Sequence, residues 1–116
     1  MLITDDKKIA DIQREFNAKF PNLKLEFYSE HHETHEGSSQ NQLLDSKKTI
    51  GEIRNIHKTG DISVNGHLKV STLEQMMYEK YGLNVQVWRK SGSIWLQTTS
   101  TDDWTLTEQN ERGKTR

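Results

Sequence analysis

The chain has 116 residues, with 16 Lys or Arg against 17 Asp or Glu, and no cysteine. This length fits one domain, the balanced charge lacks the cationic excess that binds duplex nucleic acid or anionic membranes, and the missing thiols exclude disulfides and thiol chemistry. No apolar run approaches the roughly 18 residues that span a bilayer, and acidic residues interrupt any signal peptide. We therefore expect a cytoplasmic protein without a cofactor, and no partner that is a membrane or duplex nucleic acid.

The first predicted unit follows a short apolar strand at Leu2-Ile3. Four apolar residues then recur at helical spacing: Ile9, Ile12, Phe16 and Phe20. Such a stripe predicts an amphipathic helix, and Pro21 marks its end. Leu23, Leu25 and Phe27 then alternate as the buried face of a strand does.

A second unit repeats this pattern. The helical stripe returns 61 positions later as Val70, Leu73, Met77 and Tyr81, and the strand pattern returns as Leu83, Val85 and Val87. Gly82 takes the place of the proline as the helix stop. Ser71, with Glu74 three residues on, predicts a capping box at the start of this helix. The chain is thus expected to be an internal repeat of strand, helix and strand.

A hairpin is expected to follow. Two apolar stretches, 85–89 and 94–98, flank Lys90-Ser91-Gly92-Ser93, where Ser-Gly marks a turn. A two- or four-residue loop would place Trp88 directly opposite Trp95, whereas a three-residue loop would shift the pairing by one.

Together these elements predict an α+β fold. Two helices would pack on one face of a mostly antiparallel sheet, in a ferredoxin-like split βαβ repeat with an extra C-terminal strand. A ubiquitin-like roll is the alternative. The domain would cover residues 1–106, with a mobile loop at about 29–48 and a disordered tail over 107–116, because both segments are poor in apolar residues.

The hairpin aromatics suggest a binding surface. Trp88 and Trp95 would lie on the open face of the sheet, with Tyr28 at the position equivalent to Trp88. The leading hypothesis is an interaction module that uses these three residues to bind a protein or a second copy of the chain. The alternative is that the tryptophan pair only stabilises the hairpin.

A histidine-rich segment supports a competing hypothesis. Glu30 to Glu36 contains His31, His32 and His35, which are weak candidates for metal ligands. Their spacing does not match the His-Glu-x-x-His motif, so a solvated polar loop is favoured and no metal is predicted. A small enzyme or metal-binding protein built on residues 30–36 is the alternative function. The sequence offers no phosphate loop, nucleophile turn or acid–base pair, and no catalytic residue is predicted.

The C-terminal third resembles a family of small uncharacterised bacterial proteins. The resemblance rests on the stretch 82–92, on Trp95, and on Thr101-Asp102-Asp103-Trp104-Thr105-Leu106. It implies a bacterial protein that consists of one stand-alone domain. It implies no activity and no site residue.

Overall fold

The computed structural model of the chain describes residues 1–33 and 35–114 and is an α+β fold. Thr34, within the loop expected to be mobile, and residues 115–116 of the expected tail lie outside the described residues. The strands are β1 (Leu2–Ile3), β2 (Leu23–Tyr28), β3 (Gly60–Asp61), β4 (Asn84–Ser91) and β5 (Ile94–Gln97). The helices are α1 (Ile9–Lys19), α2 (Val70–Tyr81) and α3 (Leu106–Lys114).

The strands form two antiparallel sheets. The larger sheet has the order β2-β4-β5, while β1 and β3 form a separate two-stranded sheet. A split βαβ arrangement would unite the two βαβ units in one sheet, so this part of the expected topology is wrong. The expected extra C-terminal strand is present as β5. The apolar residues Ile62 and Val64, which follow the short strand β3, are buried.

The helical stripes identified in the sequence form the core. All eight residues of the two stripes are buried, and six of them are fully inaccessible to solvent. They pack with the inward side chains of β2 and β4 in one cluster that also contains Ile3 and Leu106. Gly82 ends α2 in the left-handed conformation, with φ of 67°, which favours glycine.

Two pairs of turns hold the helix starts, and they use matching hydrogen bonds. In the first turn pair, residues 5–10 with 46–51, the Ile9 and Ala10 amides donate to the carbonyls of Lys48 and Ser46 at 2.9 and 3.0 Å. In the second turn pair, residues 66–71 with 102–107, the Val70 and Ser71 amides donate to Trp104 and Asp102 at 3.0 and 2.7 Å. The hydrogen bonds in the opposite direction, from amides of the later segment to carbonyls of the earlier one, also match in the two pairs. Amides at a helix start have no partner within the helix, so each turn pair acts as a backbone cap.

The start of α2 differs from the sequence prediction. The helix begins at Val70, and the capping box of Ser71 and Glu74 is wrong because the Ser71 amide bonds to Asp102 O. The Glu74 side chain is instead buried.

The expected disordered tail is also wrong over residues 107–114, which belong to α3. Thr105 and Glu108 form a reciprocal cap: the Thr105 amide donates to Glu108 Oε1 at 2.8 Å, and the Glu108 amide donates to Thr105 Oγ1 at 3.1 Å. Leu106 and Gln109 are completely buried, so α3 packs onto the domain. In the loop at 29–48, backbone bonds join Ser29 to Gln42 and Leu44 to Phe27. Mobility of this loop stays a prediction.

Candidate functional site

The register of the hairpin places Trp88 and Trp95 on one face, but not opposite each other. Trp88 pairs with Gln97 and Trp95 pairs with Lys90, so the expected direct pairing is wrong. The physical reason is the position of the turn. The two turn residues are Gly92, with φ of 62°, and Ser93, one residue later than the Ser91-Gly92 turn that direct pairing requires, so Ser91 pairs with Ile94.

A lysine of β2 lies close to both tryptophan rings. Lys24 Nζ is 5.3 Å from the Trp88 ring centroid and 5.0 Å from that of Trp95, within the range of cation–π attraction. The Trp88 indole N–H donates to the Tyr28 hydroxyl at 3.1 Å. Burial raises the pKa of Tyr28 to about 12. The three aromatic residues predicted from the sequence are thus brought together, with Lys24 as an additional member.

The sheet face is only partly open, because the segment 36–43 crosses it. Gln86 Nε2 donates to Glu36 O at 3.0 Å, and Gln97 exchanges two hydrogen bonds with the Ser38 backbone. Tyr28 is 2% exposed, so the expectation that it lies open on this face is wrong. Trp88 and Trp95 are partly buried.

A groove runs beside this face, between α1 and the segment 43–46. Its volume is about 600 Å³, within the range of small-ligand sites, and Trp95 forms part of its wall. Its lining includes both cations, Arg14 and Lys24, and anions, Glu26 and Asp45. A lining with both signs of charge favours no single class of charged ligand.

The outer edge of β5 is the other exposed part of this sheet. Ile94 is 56% exposed and Leu96 is 40% exposed, on the face opposite Trp95. In the described part of the chain, β5 is the last strand of its sheet. Its edge therefore combines apolar side chains with unpaired backbone groups.

The three histidines of the segment 30–36 have different surroundings. The His31 ring stacks on Tyr78 with 3.6 Å between centroids. His32 is buried, with Nδ1 at 3.0 Å from Glu33 O and Nε2 at 3.0 Å from Val85 O. Both ring nitrogens of His32 thus lie within hydrogen-bond distance of backbone carbonyl oxygens. His35 instead contacts the turn before α3, so the three side chains do not converge on one metal.

Glu74 completes the edge of β4 where β5 ends. Its Oε2 accepts the Val87 amide at 2.9 Å, and its Oε1 lies 3.7 Å from His32 Nε2. Burial raises the pKa of Glu74 to about 7; the Val87 hydrogen bond and the charge of His32 act in the opposite direction. His32 and Glu74 therefore replace a missing strand partner with ionisable side chains.

Two acidic residues lie beside His35. The backbone amide of His35 donates to Asp102 Oδ2 at 2.9 Å, and His35 Nδ1 lies 2.8 Å from Asp102 Oδ1. Asp103 Oδ2 lies 3.9 Å from His35 Nε2. No pattern in the sequence predicted this contact. Residues 35 and 102 are too distant in the chain for local spacing to link them, and only the cluster of histidines hinted at it.

Comparison with known proteins gives no match. No protein family model, no curated protein and no solved structure matches this chain. The resemblance to a bacterial family therefore stays a prediction. Within residues 1–33 and 35–114, no helix is both long and apolar enough to cross a membrane.

Proposed function

We propose that the protein is an interaction module that pairs with a second copy of the chain through the outer edge of β5. The observation that carries the proposal is the unprotected character of this edge. The residues Ile94 to Gln97 include no charge and no proline, which are the usual devices that keep an edge strand from pairing. Two of the four side chains are also large, apolar and exposed.

The hydrogen-bond ladder defines which backbone groups are available. The Thr98 amide bonds to Val87 O, so alternation along the antiparallel ladder turns the backbone groups of Leu96 and Ile94 toward β4. Those of Trp95 and Gln97 consequently point outward. No described residue outside β5 bonds to the backbone of Trp95 or Gln97.

An antiparallel pairing about a two-fold axis would satisfy these groups. Trp95 of one copy would lie opposite Gln97 of the other, and the outward amides and carbonyls would form a ladder across the axis. Leu96 would then face its own counterpart. An uncharged strand suits such an interface, because any charge near the axis would meet the same charge.

The proposed pairing also gives the tryptophan face a role. The two three-stranded sheets would form one six-stranded sheet, and the Trp88–Lys24–Trp95 groups of both copies would lie on the same side. This larger surface supports the interaction module predicted from the sequence. The cytoplasmic and bacterial setting remains part of the proposal.

The test uses the position that would face itself. We expect the parent chain to be dimeric in sedimentation equilibrium at micromolar to millimolar concentration, and Leu96→Lys and Leu96→Glu each to be monomeric. An equimolar mixture of the two variants should restore a dimer, because opposite charges then face each other. Leu2→Lys, at a residue of similar exposure (45%) in β1, is the control and should leave the dimer intact.

Two results would overturn the proposal. A parent chain that stays monomeric throughout the concentration range would remove self-pairing. A dimer that persists unchanged in both Leu96 variants would place the interface elsewhere.

We also infer that the two halves are copies of one structural unit. The matching hydrogen bonds of the two turn pairs support this inference, as do the buried stripes offset by 61 residues. The test of equivalence is the effect of paired substitutions on stability, given below for Phe16 and Met77.

A further inference from the structure

Asp102 is a buried carboxylate with one oxygen that lacks a hydrogen bond. It precedes α3 and is 2% exposed. One oxygen, Oδ2, accepts the His35 amide. The other, Oδ1, receives no hydrogen bond from the described residues, although His35 Nδ1 lies 2.8 Å from it. A buried carboxylate oxygen is costly unless a donor or a cation compensates it.

The turn pair does not explain this side chain. In the second turn pair the Asp102 carbonyl accepts the Ser71 amide, and in the first turn pair Ser46 has the same backbone role with Ala10. The next residue is Asp103 in one turn and Lys47 in the other. Since the first turn forms without either carboxylate, the two acids of the second turn are not needed for its backbone structure.

His35 brings a nitrogen ligand to the same place. One donor atom each from His35, Asp102 and Asp103 lies within 4.8 Å of the others. Metal–ligand bonds of about 2.0–2.2 Å require ligand atoms no more than about 4.4 Å apart. The side chains of His35 and Asp103 are 52% and 69% exposed, so both have room for this small adjustment.

We infer that His35, Asp102 and Asp103 bind a divalent transition-metal ion of the Zn²⁺ class. One imidazole with two carboxylates suits this class better than Mg²⁺ or Ca²⁺, which prefer oxygen ligands alone. The ion would compensate Asp102 Oδ1 and relieve the repulsion between two adjacent acids. Three protein ligands leave a position for water. This site is separate from β5 and does not depend on the proposed self-pairing.

The experiment is a Zn²⁺ titration of the full chain after treatment with EDTA and its removal, followed by calorimetry and by amide chemical shifts. We expect one ion per chain and shifts centred on residues 35, 102 and 103. His35→Asn removes the imidazole but tolerates the left-handed backbone of this position, with φ of 68°. Asp102→Asn keeps the shape of the buried side chain. Each should weaken binding by about tenfold or more.

His31→Asn is the matched control in the same segment and should bind Zn²⁺ as the parent does. Parent-like affinity in His35→Asn, or shifts centred on His31, His57 or His67, would overturn the inference. If Asp102→Asn fails to fold, the exposed Asp103→Asn provides the second ligand test, and parent-like affinity there would equally contradict the site.

Discussion

The first and second halves of the chain have the same backbone plan but differ in the side chains that complete it. On α1, Gln13 Nε2 donates to Leu25 O at 2.8 Å and so satisfies the outer edge of β2. On α2, the residue 61 positions later is Glu74, which accepts the Val87 amide on an edge of β4. A neutral amide completes one strand, and an ionisable carboxylate completes the other.

This difference distinguishes the backbone contacts that both halves share from the side chains that only one half has. The backbone bonds of the turn pairs are the same in both halves, so these turns do not require the Asp102 carboxylate, and Gln13 shows that a neutral side chain can fill the place of Glu74. Both acids, together with His32 and His35, lie in the second half or against it. The buried carboxylates of Glu74 and Asp102 therefore have no counterpart at the matching positions of the first half, which hold Gln13 and Ser46.

The largest expected effect concerns the equivalent core positions. Phe16→Ala and Met77→Ala should each lower the free energy of unfolding by about 2–5 kcal/mol, because both side chains are fully buried on their helix stripes. Chemical denaturation measures the loss. A loss in only one variant would break the equivalence of the halves.

The next largest effect is on how the free energy of unfolding depends on pH in Glu74→Gln. Because the Glu74 pKa rises from 4.5 to about 7 on folding, the native state binds more protons over this interval. The parent chain should lose stability as the pH rises from about 4.5 through 7, whereas glutamine keeps an acceptor for Val87 without titrating. The variant should gain roughly 2–3 kcal/mol relative to the parent across this window.

Denaturation at pH 5, 6, 7 and 8 in EDTA checks this gain. The two electrostatic neighbours of Glu74, His32 and Asp102, remain in the variant. Glu79→Gln, exposed on the same helix, is the control and should show no gain. A constant difference between parent and Glu74→Gln would contradict the shifted pKa.

The smallest effect compares the two threonine caps. Thr105 caps the nine-residue helix α3, and Thr49 caps a three-residue 3₁₀ turn through the same bonds to Glu52. Thr105→Ala should cost about 0.5–2 kcal/mol, and Thr49→Ala should cost less because fewer residues depend on it. Thermal unfolding measures both, with the exposed Ser100→Ala as the control. A larger loss at Thr49 would show that the first turn pair is the critical one.

Local periodicity was sufficient to predict the main helices, strands and core. Helices α1 and α2 each bury one face, and the spacing of their apolar residues indicates which face it is. The short helix α3 was missed although Thr105 and Glu108 carry a capping signature, since its only apolar residue at the start is Leu106. The division into two sheets depends on contacts between β1 and β3, which are distant in sequence.

The candidate sites were predictable only in part. The alternation of residues in β4 and β5 correctly placed Trp88 and Trp95 on one face. The turn conformation of Gly92, which sets the register, shifted their pairing by two residues. Burial of Asp102 and its meeting with His35 arise from packing between a loop and a distant turn, and no local pattern encodes such a contact.

The turn pairs have a consequence for how the chain folds. Each joins segments that are more than thirty residues apart, as the bonds from Ile9 to Lys48 and from Val70 to Trp104 show. A helix start therefore gains its cap only after a long loop has closed. The chain loses the entropy of loop closure before the capping hydrogen bonds form. Such dependence on distant contacts is typical of domains that fold more slowly than helical bundles of similar size. During synthesis α2 would emerge complete yet uncapped, and it would acquire its backbone partners only when residues 102–107 follow.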